Sequence, residues 1–397
     1  MPVKEALNMF ILLVEKPVPR FLGTIVGGAA LSLLVLLVGC SSSGKLSRDA
    51  AKVIEFKQTA KLQMRWQGDI TDSGNTVLQP AVINDALYVA SEQGDVVRLD
   101  RATGKRIWRI KTGFNVSAGV GAGEDVVILG GKKGELIAFD TAGKVRWQIQ
   151  MGSEVLGVPR VAEGVVVVRT GDGYISALNV AEGKSLWTYE RTTPSLVVRN
   201  HAAVAIHLGT VYAGLAAGRL VALNLTTGVV KWETVVSQPR GNTELERISD
   251  ITSTPVIDTD QVCAISFQGR VACFNLEQGS LLWSRELSSD QGMVLWQKYL
   301  YVTGIDGSIL ALDRNSGSSI WKNEQMKLRR VTAPGVFGDY LAVGDHEGYL
   351  HILRREDGRL VARSKTDASP VQSAPVPLGE GLFIQTRKGG LFSFLIH

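Results

Sequence analysis

The residues able to do chemistry are few and scattered. The chain of 397 residues carries three cysteines, Cys40, Cys263 and Cys273, and five histidines, His201, His207, His346, His351 and His397. No histidine stands at metal-ligand spacing from a cysteine. No Asp-x-Asp-x-Asp loop offers oxygen ligands for Ca²⁺, and there is neither a nucleophile elbow nor a phosphate-cradling glycine loop. Cys263 and Cys273 fall on neighbouring strands of one repeat. Two small core hydrophobes are the favoured reading; a disulfide is the alternative in an oxidising compartment, and spacing alone does not say whether their Cβ atoms face each other. The sequence therefore predicts no catalytic residue, no metal and no cofactor.

The elements that carry these residues repeat. Residues 94–108 read as a strand, a turn at Asp100 and Gly104, and a second strand reaching Trp108. The frame returns at Asp140, Gly143 and Trp147; at Asn179, Gly183 and Trp187; at Asn224, Gly228 and Trp232; at Asn275, Gly279 and Trp283; and at Asp313, Gly317 and Trp321. A seventh copy keeps Gly348 and Gly358 but has Arg354 for the acid or amide and Ala362 for the Trp, and an eighth starts at Gly389 near the C-terminus. The leading glycines lie 38 to 51 residues apart, the period of a β-propeller. Lys61 to Trp66 reads as the last strand of a repeat that lacks its earlier strands, and the eighth copy lacks its last. The expected fold is thus all-β: an eight-bladed propeller of four-stranded antiparallel blades, closed by the N-terminal strand completing the last blade, which pairs edges otherwise open to aggregation. Within each turn the acid or amide binds the backbone and Gly supplies positive φ. Trp66, Trp108, Trp147, Trp187, Trp232, Trp283 and Trp321 are structural, each covering the gap to the adjacent blade.

The net charge of +5 is spread without a long basic run, which excludes nucleic acid as an expected partner. Residues 21–39 form an uncharged apolar run behind Lys4, Lys16 and Arg20, ending in Leu37-Val38-Gly39-Cys40 and a polar Ser41-Ser42-Ser43-Gly44. Positive flank, small residue and polar follower favour an export signal; a transmembrane anchor is the alternative. The expected organisation is a signal peptide at 1–39, Cys40 with a linker to residue 57, and the propeller at 58–397; Met9 is a second candidate start. Leu-Val-Gly-Cys resembles the lipobox of bacterial lipoproteins. That resemblance implies cleavage before Cys40, acyl chains on Cys40 and, with Ser41 rather than Asp after it, sorting to the outer membrane. Several acyl chains anchor firmly where one binds only reversibly.

From each Trp to the next leading Gly the two longest intervals are consecutive: 31 residues from Trp187 to Gly218 and 37 from Trp232 to Gly269. Each holds the connection from an outermost strand to the next innermost one. In a four-stranded meander all such connections lie on one face, so two enlarged loops sit side by side there, and loops on a rigid scaffold are common places for binding residues. Leu196, Val197 and Val198 offer an apolar ridge; Arg199, Glu244, Arg247 and Asp250 offer a charged rim, the composition of a protein-binding patch.

Two family resemblances follow. The pattern Ala311-Leu312-Asp313 through Trp321 resembles the repeat of quinoprotein dehydrogenases, whose propellers hold a quinone and Ca²⁺ at the axis; the absence of an adjacent cysteine pair and of a Ca²⁺ loop argues against that enzyme. Lipobox, eight repeats and the connectors Pro194-Ser195-Leu196-Val197-Val198-Arg199 and residues 243–255 together resemble the BamB family, the propeller lipoproteins of the outer-membrane β-barrel assembly machinery. Here Val198 replaces a Leu, Ser253 a Thr, and Thr252 an acid often found in that family. The resemblance implies a non-enzymatic scaffold, lipid-anchored at the periplasmic face of the outer membrane. Its connector face would dock the periplasmic domains of BamA, the central barrel subunit, and the complex would receive unfolded outer-membrane proteins. A periplasmic propeller binding another protein or a cell-wall ligand is the alternative.

Overall fold

A computed structural model describes residues 50–397; the proposed leader and Cys40 lie outside the described residues. Among the described residues, thirty-two strands form eight four-stranded antiparallel sheets. Blade 1 shows the plan: Ala81–Ile83, Ala86–Ala90, Asp95–Asp100 and Arg106–Lys111 pair in chain order from the inside out. Blades 2 to 7 repeat it. In blade 8, Val376–Leu378, Gly381–Gln385 and Gly390–Ile396 are completed by Leu62–Asp69, with Leu62 opposite Ile396 and Asp69 opposite Gly390. The expected propeller and its closure by the N-terminal strand are both present.

The core is not one cluster but eight seams, each shared by two neighbouring blades. Leu87 and Val89 of blade 1, for instance, pack with Trp66, Phe383 and Leu391 of blade 8. A middle strand is covered on both sides, so Ala86–Ala90 is buried throughout, as near-continuous apolar strands require. An outermost strand such as Arg106–Lys111 alternates instead, with Trp108 and Ile110 turned in.

The repeated residues close each seam the same way. In blade 1, Asp100 Oδ1 accepts the N–H groups of Ala102 and Thr103; Asn179, Asn224, Asn275 and Asp313 do likewise in their turns. The following Gly is then free to receive the indole of the preceding blade. A Cβ at Gly104 would stand 2.5 Å from the Trp66 ring, and one at Gly183, with φ at +70°, 2.7 Å from Trp147. The indole N–H groups of all seven repeat tryptophans donate to a carbonyl of the next blade, at 2.7 to 3.2 Å.

The departures in the seventh copy have physical reasons. Arg354 stands where the acid would be, and Asp357 inside the turn accepts from its Nε and from Arg359 N instead. Ala362 faces blade 8, whose outer turn does not exist because the chain enters and leaves there. Residues 51–61 fill the place of the indole: Thr59 N donates to Val361 O at 2.9 Å, and Ala60 and Leu62 pack into the seam beside Ala362.

Cys263 and Cys273 correct the favoured reading of two separate core thiols. Antiparallel register sets them directly opposite each other, 4.0 Å apart at Cα, and they form a wholly buried disulfide.

A buried charge network fastens the same N-terminal segment to blade 7. Arg329 binds Asp345 through Nε and Nη2 and donates Nη1 to Ala51 O at 2.8 Å. Arg363 donates to Ile54 O at 2.7 Å and lies over the Phe56 ring. His351, 1% exposed, accepts from Arg363 Nε at Nδ1 and so donates Nε2–H to Asp345. Burial holds His351 below its ordinary pKa, against the opposite pull of Asp345. Burial alone would raise Asp345, but hydrogen bonds from His351, Tyr349 and Arg329 hold it down to about 2. Both shifts act in one direction. The unfolded chain takes up protons first, at His351 from about pH 6.5 downward and at Asp345 from about pH 4. We expect full stability above pH 6.5 and progressive loss below it. Urea midpoints at pH 7.5 and 5.5 check this, and His351→Gln should flatten the difference between them.

Candidate partner-binding face

Alternation along each meander places the connections between blades and the turns between second and third strands on one face, and the Asp/Asn–Gly turns on the other. The two long connectors, 190–204 and 236–255, therefore lie on the first face beside the turns at 169–173 and 215–219. Asp250 ties them together. Its Oδ2 accepts from Val198 N of the first connector at 2.7 Å, and its Oδ1 accepts from Ala217 N of the blade 4 turn at 2.9 Å. Ala203 N donates to Thr254 Oγ1 at 3.0 Å, a second stitch between the connectors. The projecting tip of 236–255 organises itself: Glu246 Oε2 accepts from Asn242 N and Thr243 N, while Thr243 Oγ1 accepts from Glu246 N, the reciprocal pattern of a capping box. Those backbone donors hold the Glu246 carboxyl below its usual pKa.

On this frame the ridge stands out. Leu196 and Val197 are 40% and 39% exposed, and Val198 is half-buried behind them. Arg199 is exposed and grips Glu154 with both Nη atoms, which holds its own pKa up. Glu244 and Arg247 are exposed on the tip, 3.9 Å apart. Asp250 corrects its assignment to the rim: it is 3% exposed, with both oxygens spent on backbone donors, and its part on this face is to position the connectors. Thr252, where the resemblance places a second acid, is buried and donates to Ser289 O at 2.9 Å.

Sequence reasoning missed Leu245, 66% exposed at the tip; its signal was an apolar residue between two glutamates in a turn. It also missed a cleft of about 570 Å³ between blades 3 and 4, beneath the first connector, lined by Glu154, Leu156, Arg169, Val198, Arg219 and Asp250 among others. Arg191 and Arg219 both bind Glu233 there. Arg169 is half-buried, and its Nη1 is sealed from solvent without a hydrogen-bond partner. Burial pushes its pKa down to about 10, against the opposing pull of Asp250.

The axis opens on the connector side into a second cavity, about 710 Å³, lined by Gln79, Arg160, His201, Asp290 and Gln291 among others. A lining whose one carboxylate, Asp290, shares the cavity with Arg160 and Arg199 is not a donor set for Ca²⁺. No group of three or more His, Cys, Asp or Glu able to hold a metal occurs among the described residues. The residues present do not fit the quinone-and-calcium site of the dehydrogenases.

A family model described as outer membrane protein assembly factor BamB matches residues 92–323. The chain is 41% identical to the BamB of Nitrosomonas eutropha, over 92% of this chain and 94% of that one. It is 35% identical to the BamB of Bordetella pertussis, over 92% and 95%. Its fold is similar to the crystal structure of BamB from Moraxella catarrhalis, with a TM-score of 0.78, 28% identity and coverage of 84% of this chain and all of that one. A quinohemoprotein alcohol dehydrogenase from Comamonas testosteroni shares the fold alone, with a TM-score of 0.71 at 15% identity, covering 84% of this chain and 76% of that one.

Proposed function

We propose a docking role for this chain, which belongs to the outer membrane protein assembly factor BamB family. In this reading Cys40 carries the lipid that holds the propeller at the periplasmic face of the outer membrane. The connector face binds the periplasmic domains of BamA, and the complex receives unfolded outer-membrane proteins. The chain contributes a rigid surface and no catalytic step. The observation that carries the reading is the exposed ridge of Leu196, Val197 and Leu245, rimmed by Arg199, Glu244 and Arg247 and fixed from below by Asp250. Apolar anchors with a polar rim are what a protein interface needs, and fixed loops lose little entropy on binding. The arrangement of the ring supports it too. Residues 51–61 are fastened at blades 7 and 8, roughly half the ring away from the cleft at blades 3 and 4.

Leu196→Glu tests the reading. It puts a charge into the apolar ridge at an exposed position. The variant should bind the BamA periplasmic domains at least about tenfold more weakly while melting at the wild-type temperature. Binding at wild-type strength would remove the ridge from the interface.

A further inference from the structure

We propose that the cleft between blades 3 and 4 is a carboxylate-binding subsite in which Arg169 receives an acidic side chain of the docked partner; the proposal rests on the docking reading above. The other charges lining the cleft have partners of their own. Arg199 is spent on Glu154, two nitrogens on two oxygens. Arg191 and Arg219 share Glu233. Asp250 is spent on the N–H groups of Val198 and Ala217. Arg169 is left over. It stands at the end of the strand Val165–Arg169 with Nη1 enclosed and unpaired, and a guanidinium whose pKa is about 10 is still charged at neutral pH.

Folded proteins rarely leave a cation enclosed without a partner, because the desolvation is not returned. Two other enclosed arginine nitrogens, Arg98 Nε and Arg270 Nε, belong to side chains bound elsewhere: Arg98 Nη1 to Thr141 O, and Arg270 Nη1 to Ser284 Oγ. A planar guanidinium matches a carboxylate in geometry and sign. The cleft volume of about 570 Å³ admits a side chain and its backbone, not a folded element. Leu156, Val197, Val198 and Leu215 provide apolar wall for its methylenes. Glu154, Glu233 and Asp250 stand around the same space, which disfavours a dianion such as phosphate and suits a single carboxylate. The cleft also runs beneath Val197 and Val198, so a partner on the ridge has the subsite within reach of one side chain.

The test compares Arg169→Met, Arg169→Lys and Leu196→Glu with the wild-type mature chain, in affinity for the BamA periplasmic domains and in melting temperature of the free protein. Arg169→Met should weaken binding at least about tenfold, and Arg169→Lys should not restore it, since an ammonium lacks the fork. The free Arg169→Met protein should melt at or above the wild-type temperature, because the change removes an N–H group sealed from water without a partner; an arginine serving the fold alone would give a lower one. Wild-type affinity in Arg169→Met, with binding lost in Leu196→Glu, overturns the subsite and leaves the docking face standing. Wild-type affinity in both overturns both. A lowered melting temperature in Arg169→Met overturns the claim that this group awaits a ligand.

Discussion

Replacing Trp147 by Ala should destabilise the propeller by about 3–5 kcal/mol, the usual cost of emptying a large aromatic site. Trp147 is 7% exposed. It packs into the seam of blades 2 and 3 with Leu136, Val166 and Leu178, and its indole N–H donates to Val180 O at 2.9 Å. Gly183, on which the ring rests, has no side chain to move into the space. The same contact can be attacked from the other side. Gly183→Ala would set a Cβ 2.7 Å from the indole at a φ of +70°, strained both in packing and in backbone. Urea unfolding should show lower midpoints for both variants. An unchanged midpoint in Trp147→Ala contradicts the role assigned to all seven repeated tryptophans.

Asp250→Ala should have the second-largest effect, and on structure and binding together. The change strands two N–H groups, those of Val198 and Ala217, that now bond a charged acceptor. Hydrogen bonds to charged groups contribute about 1.5–3 kcal/mol each, so the two together give an expected loss of roughly 3–6 kcal/mol at most, concentrated in the connectors. Affinity for BamA should fall further than in Leu196→Glu, because the whole ridge loses its footing. Hydrogen exchange at the amides of Val198 and Ala217 separates this from an interface effect: both should lose protection in Asp250→Ala and keep it in Leu196→Glu. Retained protection in Asp250→Ala contradicts the clamp.

How much of this the sequence carried depended on whether a feature repeats. The tryptophans, the turn glycines and the Asp or Asn before them recur at nearly fixed offsets because the seams set the same packing problem, so six copies agree in full and the ring follows. Ala362 breaks the pattern for a reason that lies 300 residues away, in the segment 51–61 that occupies the missing indole's place. Cys263 and Cys273 needed the strand register, which a spacing of ten does not determine. On the connector face, Leu196 and Val197 were legible as apolar residues in an enlarged loop. Asp250 was legible as a charge but not as a buried one, since its two donors come from residues 198 and 217. Arg169 was invisible for the same reason in stronger form. It is singular only because every other charge around it is paired, and those pairs arrive from separate connections of the ring.

The most direct measurement places a photo-crosslinking residue at Leu196 on the connector face and, separately, at Arg359 in the outer turn of blade 7 on the opposite face, with adducts from cells identified by mass spectrometry. The docking account predicts a BamA adduct from position 196 and none from position 359. Adducts from 196 to some other protein, or a BamA adduct from 359 alone, would contradict it while leaving the propeller and its family as they are.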